Sequence, residues 1–99
     1  MRWPLKIIRI AGHSMQPLIR DGELLFVNKW AYLFKSPKIG DIVVFRNPKN
    51  KNQLFCKRIA GIGDGRLIVR GDNVADSLDV EPIESSLILG KAFHLTHGH

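Results

Sequence analysis

Ser14 stands in Gly12-His13-Ser14-Met15-Gln16-Pro17, just after an isoleucine-rich run at residues 6–10. A serine at the end of a strand, beside glycine, can be presented at the edge of a cleft, because Gly12 allows another backbone to approach closely. Pro17 stiffens the exit of the turn, and Met15 sets an adaptable apolar group beside the hydroxyl. The chemistry open to such a serine is nucleophilic attack, and near neutral pH a hydroxyl needs a base beside it for that. Alone, the segment reads more readily as a plain turn with Met15 in the core.

Histidine is the usual base. His13 adjoins Ser14, but successive residues of an extended chain point to opposite sides. Nothing around His94 suggests a triad, and the chain has no Gly-x-Ser-x-Gly elbow. Lysine is the other option, and it must be neutral to accept a proton. Lys57 lies in Leu54-Phe55-Cys56-Lys57-Arg58-Ile59-Ala60-Gly61-Ile62. Alternation puts Phe55, Lys57 and Ile59 on one face. Burial beside apolar groups favours the neutral amine, so activity would rise with pH. Arg58 points the other way, and guanidinium stays protonated. Strand context leaves a second reading equally open: a lysine that lays its stem along a half-buried strand and keeps its ammonium in water.

The elements that must hold these residues are short. Residues 6–10, 23–27, 41–46, 54–62, 67–69 and 87–95 have strand composition, separated by turn residues. Residues 47–52, Asn-Pro-Lys-Asn-Lys-Asn, read as a polar, mobile loop, and Gly63-Asp64-Gly65 as a turn. Trp30–Phe34 is the one helical candidate. The expectation is a single all-β domain over residues 1–99, with four to six antiparallel strands and little helix.

Net charge is +6 and unevenly placed: residues 1–50 hold nine Lys/Arg against three Asp/Glu, residues 51–99 six of each. The lysines are dispersed, so a solvated surface is the simpler reading, and no nucleic-acid partner is expected. Cys56 is the single cysteine, which excludes an intrachain disulfide and fits a reducing, cytoplasmic location. It has no partner at ligand spacing, and His94, His97 and His99 read as tail histidines, so neither metal nor cofactor is expected. No apolar run approaches the roughly 18–20 residues that span a bilayer, and no leader pattern follows Met1. Peripheral membrane contact through Trp3, Pro4 and Leu5 is the alternative.

Four segments together carry a resemblance. Gly-x-Ser-Met-x-Pro at 12–17, Gly-Asp-Ile-Val-Val-Phe at 40–45, Lys-Arg-Ile-Ala-Gly at 57–61 and Gly-Asp-Asn-x-x-x-Ser-x-Asp at 71–79 resemble the signal peptidase I family, in the family's order. The resemblance implies coiled antiparallel β-sheets and cleavage after small side chains. It puts Ser14 on the nucleophile and Lys57 on the general base. Ser77 falls on a serine that hydrogen-bonds the base lysine, Asp79 completes the Ser-x-Asp pair, and Asp72 and Asn73 fall on the loop that shapes the site. Some members carry a serine two residues before the nucleophile as an oxyanion donor. Gly12 stands there in this chain, leaving that task to a backbone group or water. The arginine that usually pairs with the aspartate at 79 is missing.

No amino-terminal membrane anchor is expected, and in this the chain resembles the small maturation proteases of nickel-type superoxide dismutase. The expected partner is then a protein with an amino-terminal propeptide or leader. Three other readings stand beside it: signal peptidase processing of secreted preproteins at the membrane, the self-cleaving domain of LexA-type repressors, and a basic nucleic-acid or partner-binding β module.

Overall fold

The structure is a computed structural model that describes residues 4–9, 15, 19–72 and 81–94. Ser14, Gly12, Asn73, Ser77 and Asp79 lie outside the described residues, as do His13, Trp3 and the histidines at 97 and 99.

Seven strands form one antiparallel sheet: β1 (Leu5–Arg9), β2 (Leu24–Asn28), β3 (Ile42–Asn47), β4 (Asn50–Gly63), β5 (Arg66–Arg70), β6 (Glu81–Glu84) and β7 (Ile88–His94). Their order is β1-β2-β7-β3-β4-β5-β6, so the last strand lies between the second and the third. The all-β expectation with little helix holds: a three-residue 3-10 turn at Ser85–Leu87 is the one helical piece among the described residues.

Two hairpins follow from their turn residues. Asp64 and Gly65 both take positive φ (53° and 73°) between paired Gly63 and Arg66, the two-residue turn whose twist matches antiparallel strands. Pro48 and Lys49 link β3 to β4, with Asn47 opposite Asn50. The polar loop expected over residues 47–52 is therefore a tight turn, and Asn50–Gln53 extend β4. Asn47 fixes that turn: its side-chain oxygen accepts from the Lys49 N–H and its amide donates to Gln53, both at 2.9 Å.

No helix forms at Trp30–Phe34. Residues 29–35 are successive turns and bends, because no helical face has a core to enter: Trp30, Leu33 and Phe34 are exposed, while the Tyr32 hydroxyl is tied to Asp41.

The core divides across the sheet. Met15, Ile19, Leu25, Val27, Val44, Cys56 and Ala92 form one buried cluster; Val43, Phe45, Ile59, Leu67, Val69 and Ile83 form the other. Neighbouring Val43 and Val44 are both fully buried, in different clusters, which marks β3 as a strand covered on both faces. Burying a side chain of this kind contributes roughly 1.5–3 kcal/mol.

Candidate active site

Lys57 sits in the middle of β4, opposite Val43. Alternation holds there: Lys57 shares its face with Phe55, its ammonium 5.8 Å from the Phe55 ring centroid, and Ile59 two residues on is buried. Phe55 in turn meets Phe45 edge-on at 5.9 Å between centroids. The lysine is half-buried.

Its neighbour Arg58, on the other side of β4, does more than the sequence suggested. Nε and Nη2 donate to the two Asp72 carboxylate oxygens at 2.9 and 2.8 Å, and Nη1 donates to the Gly40 carbonyl at 2.8 Å. The fork geometry of guanidinium makes this two-point grip, which an ammonium cannot copy. Asp72 raises the Arg58 pKa further, chiefly through those hydrogen bonds. The pair forms because Arg58 faces Arg70 across the β4–β5 hairpin, which leaves Asp72 just beyond the strand end.

Asp72 also reaches Met15. Its backbone N–H donates to the Met15 sulfur at 3.3 Å, and Met15 is 1% exposed in the cluster that holds Cys56. A continuous run of contacts thus joins Met15, Asp72 and Arg58, on the face of β4 opposite the Lys57 side chain. Sequence reasoning put Asp72 near the site and missed Arg58. The signal was present in the Lys-Arg pair and the downstream Gly-Asp, but pairing across 14 residues becomes visible only with the hairpin register.

Asp41 opens β3 from the Gly-Asp-Ile-Val-Val-Phe segment. Burial would raise its pKa, but the Tyr32 hydroxyl (2.8 Å), the Lys38 N–H (3.1 Å) and the Lys91 ammonium (3.6 Å) outweigh that and lower it. Backbone bonds from Gly40 N–H to Ile59 and from Ile59 N–H to Asp41, both 2.8 Å, lock this corner onto β4. The segment therefore sets where β3 meets the lysine strand.

Cys56, beside Lys57, is not a rival nucleophile. Burial, then the Asp72 charge, push its thiol up to about 12, against a small opposing pull from Arg58. Since the thiolate is the reactive form, Ellman's reagent at pH 8 is expected to label Cys56 only after unfolding; prompt labelling of the folded protein would contradict this burial.

Asp72→Ala is expected to lower stability by about 1–2 kcal/mol. It strips a partly exposed ion pair of its acid and leaves the Arg58 fork without its main acceptor. Urea unfolding measures the loss, and Arg58→Lys should show a smaller one.

The family model described as "Signal peptidase, peptidase S26" matches residues 3–74, and the chain belongs to that family of serine peptidases. The zebrafish (Danio rerio) mitochondrial inner membrane protease subunit 2 is 31% identical over 90% of this chain and 62% of its own length. Signal peptidase I of Pseudomonas fluorescens is 31% identical over 71% of this chain and 32% of its own. Signal peptidase I V of Bacillus subtilis is 35% identical over 69% and 44%. The chain thus spans less than two thirds of each of these relatives. Among the described residues no helix is long and apolar enough to cross a membrane, and no group of His, Cys, Asp and Glu could hold a metal ion.

Proposed function

We propose that the chain is a serine endopeptidase in which Ser14 attacks the scissile carbonyl and Lys57 is the general base. It removes an amino-terminal leader or propeptide from a protein substrate. Lys57 takes the Ser14 proton as the acyl bond forms, then gives it to the leaving amine. The observation that supports this reading is the contact run from Met15 through Asp72 to Arg58, which ties the residue after Ser14 in sequence to the residue after Lys57, on the face of β4 opposite the Lys57 side chain. Ser77 is the proposed orienting partner of Lys57, with Asp79, Asp72 and Asn73 shaping the loop around it. The Ser14 N–H is the first oxyanion donor; removing one such donor typically costs about 3–4 kcal/mol, and Gly12 leaves the second to backbone or water.

For the substrate we propose the pro-form of a nickel-type superoxide dismutase in the cytoplasm, trimmed to free its amino group for the metal. Support for this is the resemblance to the small maturation proteases. Co-expression of the two chains, with mass spectrometry of the mature amino terminus, tests it. Trimming that disappears with Ser14→Ala supports both the chemistry and the substrate. An untouched pro-form, with cleavage of a leader peptide carrying small residues before the cut, keeps the chemistry and moves the substrate to preproteins met at a membrane. One observation favours that second substrate, the exposed apolar and basic segment between β2 and β3.

A further inference from the structure

We propose that the segment linking β2 to β3 docks on an anionic phospholipid surface. Residues 29–39 read Lys-Trp-Ala-Tyr-Leu-Phe-Lys-Ser-Pro-Lys-Ile, with three lysines and no carboxylate. Four of the large exposed apolar side chains of the described residues fall in these eleven positions: Trp30, Leu33, Phe34 and Ile39, with Phe34 96% exposed. Apolar side chains gathered in this way on a surface mark a contact with something apolar.

Their presentation is built in. The Tyr32 hydroxyl, bonded to Asp41 at 2.8 Å, pins the middle of the segment inward, and the Asn28 side chain accepts the Trp30 N–H at 3.0 Å. Leu33 and Phe34 follow directly and are left outward.

Behind them lie two adjoining cavities, of about 420 and 230 Å³, that share Tyr32, Lys35 and Ser36. Lys29 and the hydroxyl-bearing Ser85 and Ser86 line the larger, and Lys38 and Lys91 the smaller. Asp41 is the one acid there, already engaged by Tyr32, Lys38 and Lys91. Among the described residues no carboxylate pairs with the ammonium groups of Lys29, Lys35 or Lys38.

Ammonium groups and hydroxyls around a recess, next to protruding Leu and Phe, match a phosphate headgroup with its acyl chains alongside. A second copy of this chain would bring the same positive charge against itself. A nucleic acid would use the aromatic faces for stacking and leave the aliphatic Leu33 and Ile39 uncovered.

Docking there would also orient the proposed site. The far end of the segment is fixed to β4, through Gly40 N–H to Ile59 and Arg58 to Gly40, so the lysine strand takes a set attitude to the bilayer. The inference stands apart from the proteolytic reading, since binding is measured without cleavage.

Flotation of the full chain with vesicles of phosphatidylcholine alone, or of phosphatidylcholine mixed with phosphatidylglycerol, tests it. The expected result is binding to the mixed vesicles, weakened by salt, and little to the neutral ones. Lys29→Gln and Lys35→Gln should each weaken partitioning about fivefold. The double variant Leu33→Ser, Phe34→Ser should weaken it at least about tenfold, while Lys49→Gln on the β3–β4 turn leaves it unchanged. Circular dichroism checks that each variant folds. Equal binding to both vesicle types, or binding untouched by the segment variants, would overturn the proposal, as would salt-sensitive capture of a single-stranded RNA with no vesicle binding.

Discussion

Lys57→Ala is expected to reduce cleavage by a factor of about 10²–10⁴ or more, the usual contribution of a positioned general base, while the domain stays folded. Three substitutions separate chemistry from packing. Lys57→Met keeps an apolar stem against Phe55 and Val43 and should be as stable as the parent, yet as inactive as the alanine variant. Lys57→Arg keeps the charge but supplies a guanidinium that does not give up its proton, so it too should be inactive. Ser14→Ala removes the proposed nucleophile and should match them, because residues that act as a unit fail together. Rates are read on a leader peptide with urea unfolding in parallel. Substantial cleavage by Lys57→Met would sink the dyad and send the search for the base elsewhere.

The largest stability effect is expected at Gly90. A Cβ there would press on the Asn28 carbonyl oxygen and lie 2.8 Å from the Val27 Cγ1. Both belong to β2, whose ladder with β7 runs from Leu25 opposite His94 to Asn28 opposite Lys91. The clash is with backbone, so no rotamer relieves it. Gly90→Ala should therefore cost about 3 kcal/mol or more, at or beyond the upper end of typical overpacking. For a domain of this size that is a fall in Tm of roughly 12 °C or more. Gly61→Ala is the control: its Cβ would meet Ile68 at an ordinary 3.6 Å, and a shift below about 1 kcal/mol is expected. Equal melting temperatures for the two variants would show that β2 and β7 do not approach as described.

Much of this architecture was legible in the residues. Apolar runs gave most strands, because burial needs them in the centre of a sheet, and Asp64-Gly65 marked its hairpin through the one turn that fits it. What escaped did so for physical reasons. β6 has one buried apolar residue, Ile83, and carries Pro82; it is an edge strand, where a missing N–H is tolerated and alternation is weak. The start of β4 is polar because it extends beyond the core, so its composition resembles a loop. Trp30–Phe34 misled in the opposite direction, since an aromatic-rich run suggests burial and here meets solvent. For the site, period two was enough to set Phe55 and Lys57 on one face. It also led to the dismissal of Arg58, because alternation tells which way a side chain points and nothing of what waits for it there. Asp72 waits there, delivered by a hairpin register that no local pattern encodes.

Because β7 lies between β2 and β3, β2 and the strand carrying Lys57 are joined through ladders only once the final strand has paired. Without β7 no strand ladder joins β1–β2 to β3–β4–β5–β6, and pairing across such sequence distance is slow to form. A chain emerging from the ribosome would hold both proposed reactive groups and still lack the ladder that completes the sheet between them. On the proposed dyad, the order of strands then acts as a timer: a nascent copy stopped before Ile88 is expected to leave a leader peptide uncut.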